Sequence, residues 1–122
     1  MQEKITTTNA PLPAGLYSQA IVTDTYVFVA GQGPQNASTG KLPESVGGQT
    51  RQVLNNIKNI LEAAGSNMQK VVKVSAFLND MKDFKLFNEA YNEFFTDPYP
   101  VRTTIGAQLS GILVEIDVVA LV

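Results

Sequence analysis

The sequence predicts an α+β domain with the element order βββαβαββ, two helices and about six strands. Three observations carry that prediction. Two stretches have the apolar period of an amphipathic helix. The remaining apolar stretches alternate with period two or run in β-branched residues between Gly, Pro and Asp punctuation. The last strand is partly apolar on both faces, which suits a sheet covered on both sides, whereas two helices can cover only one.

In chain order, residues 3 to 8 are short and Thr-rich and read as a first strand. The Pro- and Gly-containing stretch NAPLPAGLYSQ follows as a loop. IVTDTYVFVAG reads as a hairpin, with Ile21-Val22 and Tyr26 to Ala30 as its arms and Thr23-Asp24-Thr25 as its turn. Gly31 to Gly48 is polar and reads as a long loop, a kind of segment that is often functional. From about Glu44 to Ala64, residues Val46, Val53, Leu54, Ile57, Ile60, Leu61 and Ala64 share one helical stripe, and Gly65 is the expected stop. KVVKVSAFL alternates and is a strand. Asn79 or Asp80 is expected to cap a second helix with the stripe Met81, Phe84, Phe87, Tyr91 and Phe94, ended by Pro98 and Pro100. Arg102 to Ala107 and Ile112 to Val122 are the last two strands. In the final one, Ile112, Val114, Ile116, Val118 and Ala120 form one face, and Leu113, Glu115, Asp117, Val119 and Leu121 the other. An apolar sheet face without a covering layer marks an interface, so a homo-oligomer packed sheet to sheet is expected, the alternative being a sheet folded over itself by antiparallel meander contacts.

Composition narrows the function classes. The 122 residues suit one domain spanning 1–122, with no repeat or linker. A formal net charge of -2 argues against a general nucleic-acid binder. There is no Cys and no His, which removes thiolate chemistry and the usual neutral-pH base, and leaves carboxylates, Lys, Tyr, backbone and water for proton transfer. The N-terminus lacks the apolar core of a signal peptide and no run approaches membrane-spanning length, so a cytoplasmic protein with no membrane partner is expected. Asn36-Ala37-Ser38 then reads as a chance match to a glycosylation acceptor.

A few residues stand out as chemistry-bearing. In PYPVRTTIG, period-two alternation puts Arg102, Thr104 and Gly106 on one strand face. A guanidinium offers a planar fork that matches a carboxylate, and the Thr104 hydroxyl could add a contact. A solvated edge residue, or one paired with Glu115, fits the same pattern. Glu115 lies in the apolar run ILVEIDVV. It is either a wet-face carboxylate, as Asp117 beside it indicates, or a partly buried base whose pKa burial would raise and a nearby Arg would oppose. Tyr17 in AGLYSQA could bind a ligand or pack. Asn88 in FNEAYNEFF sits beside the aromatic stripe or on the helix surface. The GQGPQ loop could turn backbone N–H groups toward an anion, but lacks the spacing of a dinucleotide or P-loop motif.

Taken together the segments resemble the RidA (YjgF) family of imine deaminases, along nearly the whole chain. NAPLPAGLYSQA resembles the family's "NAP…GPYSQA", and VFVAGQGP its "vyvSGQ.P". The stretch from QTRQVLNNI to NEAYNEFF follows the family almost position by position, PVRTTIG resembles "PaRs", and VEIDVVA resembles "vEIe.iA". The resemblance implies a chorismate-mutase-like fold, a mixed six-stranded sheet with two helices on one face, forming homotrimers whose sheets pack into a central barrel with sites between subunits. It implies hydrolysis of 2-iminobutanoate or 2-iminopropanoate to a 2-oxo acid and ammonia, without metal or cofactor. Arg102 would clamp the carboxylate and Glu115 would position the water. Tyr17, Ala30, Gly31, Asn88 and Thr104 would line the pocket. An endoribonuclease activity, also attached to relatives, and a non-catalytic 2-oxo acid binder or chaperone-like trimer are the alternatives. The chain departs from the pattern at Leu16 (family Pro), Ala30 (family Ser) and Thr104 (Cys in some relatives). Its segment between Arg102 and Glu115 is about two residues shorter than in many relatives.

Overall fold

The computed structural model describes residues 2–122. Its strands are β1 (Glu3–Ile5), β2 (Ala20–Val22), β3 (Tyr26–Gln32), β4 (Val71–Leu78), β5 (Val101–Gly106) and β6 (Val114–Leu121), and its helices are α1 (Val46–Ala63) and α2 (Phe84–Tyr91). They form one six-stranded mixed sheet in the order β1-β2-β3-β6-β4-β5. Every neighbouring pair is antiparallel except β4–β5, which is parallel. A parallel pair needs a crossover, and α2 supplies it. The α+β reading with two helices on one sheet face is therefore correct.

Local chemistry sets the boundaries of α1. The Ser45 side chain accepts from the Gly48 N–H at 2.9 Å and caps the N-terminus. At the other end Gly65 adopts φ +81°, and the Ser66 N–H donates to Leu61 O at 2.8 Å and the Gly65 N–H to Glu62 O at 3.1 Å. That pair of bonds is a Schellman close, which needs the left-handed backbone that Gly tolerates. Between the caps, Val53, Leu54, Ile57, Ile60 and Leu61 are fully buried against β3 and β6. Truncating any of these Leu or Ile side chains to Ala costs about 2–5 kcal/mol.

The second helix is shorter than its apolar stripe predicts. Asp80 accepts from the Lys82 N–H and caps a 3-10 turn over Met81–Asp83, and α2 starts at Phe84. It ends at Tyr91, well before Pro98 and Pro100, so the prolines do not terminate it. In the turns after Tyr91, Phe95 rather than Phe94 reaches the core, and Met81 and Phe84 stay exposed. The buried aromatics are thus Phe87, Tyr91 and Phe95, stacked along one side with ring centroids 5.6 and 4.6 Å apart.

The core lies between the helices and one sheet face, with Val27, Val29, Val74, Ala76, Leu78, Val114, Ile116, Val118 and Ala120 pointing into it. The other face carries Tyr26, Phe28, Val101, Ile105 and Leu121, all exposed, together with Glu115, Asp117 and Val119. Cross-strand register makes this one patch: Phe28 opposes Val119, Phe77 opposes Glu115, and Phe77 also pairs with Ile105. No helix among the described residues is long and apolar enough to cross a membrane.

Candidate functional site

Alternation along β5 and β6 decides where the two charged candidates go. Arg102 is in register with Val74, a core residue, so its side chain leaves β5 on the helix side. Glu115 is in register with Phe77 and leaves β6 on the open side. Within one chain the two lie on opposite faces of the sheet. The pairing of Arg102 with Glu115 as a structural ion pair is therefore not formed, and each residue belongs to its own cleft.

The Arg102 cleft has a volume of about 860 Å³ and opens between α2 and the start of β5. Asn88, Lys85 and Glu89 come from α2, and Tyr99 and Pro100 from the segment entering β5. The guanidinium carbon sits 4.6 Å from the Tyr91 ring centroid, 5.6 Å from Phe87 and 5.8 Å from Phe84. Those distances are in the cation–π range. The ion pairs among the described residues are Arg51–Glu93 and Lys82–Asp80, so Arg102 has no ion-pair partner, although Glu89 lines the same cleft. Burial raises the Tyr91 pKa against the opposing charge of Arg102, which keeps the phenol neutral. Asn88, a weak candidate from sequence, does line this cleft. Thr104 does not: its hydroxyl is buried one strand repeat further on, with no hydrogen-bond partner.

The Glu115 cleft is smaller, about 290 Å³, and is built from loops and the adjoining ends of β3 and β6. Tyr17, Gly31, Gln32, Gly33 and Ile112 line it with Glu115. Gly31 permits a close approach: a Cβ there would meet Glu115 Oε2 at 2.6 Å and push the carboxylate aside. The carboxylate thus lies close against the Gly31 backbone near the end of β3. Ala30 precedes it in β3 and is not part of the lining. Tyr17 stands on the rim, half exposed, its hydroxyl accepting from the Ala14 N–H at 3.3 Å.

Two residues that sequence reasoning passed over hold this loop cleft together. Gln19 is buried and closes the N-terminal loop. It accepts from the Thr7 N–H at 2.7 Å and donates to the carbonyls of Thr7 at 3.0 Å and Pro11 at 2.8 Å. Asn56, buried on α1, donates to the carbonyls of Gly33 at 3.1 Å and Gln35 at 2.9 Å. An amide on the apolar face of an amphipathic helix was the available signal for Asn56, since a buried amide must find partners.

Comparison with known proteins covers the chain from end to end. The sequence model of the family described as "Endoribonuclease L-PSP" matches residues 7–122. A RutC family protein of Pyrococcus horikoshii is 45% identical over 123 residues, covering 98% of each chain. The 2-iminobutanoate/2-iminopropanoate deaminase of Escherichia coli K12 is 37% identical over 125 residues, covering 98% of each. The crystal structure of RidA from the Antarctic bacterium Psychrobacter sp. PAMC 21119 superposes with a TM-score of 0.94 at 34% identity, over 98% of this chain and 99% of that one.

Proposed function

The chain belongs to the endoribonuclease L-PSP family, to which the RidA proteins are similar throughout, and from that premise we propose that it hydrolyses small 2-imino acids to 2-oxo acids and ammonia. The observation that carries the reading is the pair of unmatched half-sites. One holds a guanidinium with no ion-pair partner. The other holds a carboxylate seated on a glycine beside a cleft. A 2-imino acid needs both, a cation for its carboxylate and a base for the attacking water.

Because the half-sites lie on opposite faces of one sheet, they serve one ligand only when copies of the chain meet. The apolar open face supports that assembly, and we take it to be a homotrimer packed sheet to sheet, with each site between neighbouring copies. In the reaction Arg102 binds the substrate carboxylate through its N–H fork. Glu115 takes a proton from water as the oxygen bonds to the C=N carbon. Glu115 returns that proton to the nitrogen, and as the C–N bond of the tetrahedral adduct breaks its hydroxyl proton also passes to the leaving nitrogen, giving the 2-oxo acid and ammonia. A positioned general base contributes about 10²–10⁴-fold.

The test is subunit complementation. 2-Iminobutanoate is generated in situ and its loss followed by semicarbazide trapping. Wild type is expected to speed the loss, and Arg102→Ala and Glu115→Gln each to abolish the gain. Oligomers reassembled from a mixture of the two variants are expected to recover part of it, because some sites then contain one intact Arg102 and one intact Glu115. No recovery in verified mixed oligomers would reject the shared site. Binding of 2-oxobutanoate without turnover by wild type would instead make the protein a ligand-binding module. RNA cleavage lost in both variants would favour the ribonuclease activity that the family description names.

A further inference from the structure

Arg102 is the only cation of the larger cleft with aromatic rings on its flank, and that environment is unusual for a ligand-binding arginine. A clamp arginine must keep its N–H fork aimed at the ligand while the site is empty. Side-chain carboxylates commonly do this, at the expense of competing with the ligand. Here Glu89 lines the same cleft, but no carboxylate lies within ion-pair distance of the guanidinium. Three rings approach the guanidinium instead, and Tyr91 is the nearest at 4.6 Å.

Tyr91 is itself held firmly. It is 6% exposed, it stacks on Phe95 at 4.6 Å with an interplanar angle of 30°, and it contacts Phe87 at 5.6 Å. Its hydroxyl is buried without a well-formed hydrogen bond, and the Arg102 side chain is the polar group that approaches it. What the residue gives the cleft is the face of its ring. A ring quadrupole attracts a guanidinium without occupying the N–H edge that a carboxylate needs.

We infer that Tyr91 is the positioning residue for Arg102: its ring, backed by Phe95 and Phe87, orients the guanidinium and leaves the fork free for an incoming carboxylate. The inference deepens the carboxylate-clamp reading above and rests on it for its kinetic arm, while its spectroscopic arm is independent of any activity. The chain contains only two arginines, Arg51 and Arg102. Arg51 is exposed and paired with Glu93 at 2.8 Å, so its side chain is an internal reference.

The experiment is NMR of the two arginine Nε–H groups in wild type, Tyr91→Phe and Tyr91→Leu, with KM and kcat for 2-iminobutanoate measured alongside. The Arg102 Nε–H is expected to be displaced by ring currents in wild type and in Tyr91→Phe, and to move toward the value of an unstacked arginine in Tyr91→Leu. The Leu variant is expected to raise KM about tenfold with a smaller change in kcat, and Phe to rescue most of that loss. An Arg102 signal that matches an unstacked arginine in wild type overturns the inference, whether or not the Leu variant folds. Equal loss in Tyr91→Phe and Tyr91→Leu, with the ring-current displacement kept in Phe, would overturn it too, by assigning the role to the hydroxyl. A wild type with the displaced signal but no imine turnover would remove the deaminase reading and leave the ring-held arginine standing.

Discussion

The two clefts present opposite charges and are built in opposite ways. The Arg102 cleft is made of regular structure: a strand residue under a helix, held by rings whose positions follow from a helical stripe. The Glu115 cleft joins two strand ends to loops tied by buried amides, with the carboxylate resting against a glycine backbone. The difference follows from what each charge needs. A guanidinium is large, planar and weakly hydrated, so ring faces can orient it without cancelling its charge. A carboxylate can instead take its position from the backbone it rests against. Placing it against a backbone glycine on the far face of the sheet keeps it out of reach of its own Arg102.

Substitutions can break this contrast at four levels. The largest effect is expected for Arg102→Lys. The charge stays, but the fork and the flat face that stacks on Tyr91 are lost, and kcat/KM for 2-iminobutanoate should fall by about 100-fold or more. A variant with near-wild-type kinetics would show that charge alone suffices. Next is Gly31→Ala. Its Cβ cannot share space with Glu115 Oε2, so the carboxylate must swing away. We expect kcat to drop about tenfold or more while 2-oxobutanoate still binds, as measured by calorimetry, because a misplaced base weakens proton transfer more than binding.

Gln19→Leu strikes the loop scaffold rather than the charge. It removes the partners of the Thr7 N–H and of the Thr7 and Pro11 carbonyls. A stability loss of about 1–3 kcal/mol is expected in a urea titration, with the Arg102 signals unmoved. The smallest effect concerns Asp117, on the same open face as Glu115. Burial raises its pKa above the ordinary 3.8, against a hydrogen bond from Ser75 and the charge of Lys73. The folded chain therefore holds this proton more tightly than the unfolded one. Stability from this group is greatest below the ordinary value and declines as pH rises through the range just above it. Asp117→Asn should flatten that decline in melting temperatures followed from pH 3 upward, and an unchanged profile would mean that Asp117 is not the group responsible.

Much of this was legible in the residues themselves. Helical period and the Gly65 stop located α1 closely, because a glycine C-cap is local backbone chemistry. The hairpin and the two-faced last strand were equally readable, since strand alternation needs no knowledge of neighbours. The second helix was overread, because an apolar stripe cannot tell a helix from the turns that follow it. Phe95 rather than Phe94 enters the core only because the chain leaves α2 at Tyr91.

The sequence by itself determined the fold class and the family, and it marked Arg102, Glu115, Tyr17 and Asn88 as candidates by residue type and position, with Gly31 added by the family resemblance. Tertiary structure alone decided that Asn88 joins Arg102 while Tyr17 and Gly31 join Glu115, and that the two groups lie on opposite sides of a sheet. The reason is strand order. Each strand's alternation sets two faces, but β6 inserts between β3 and β4, and only that pairing fixes which face of one strand matches which face of the next.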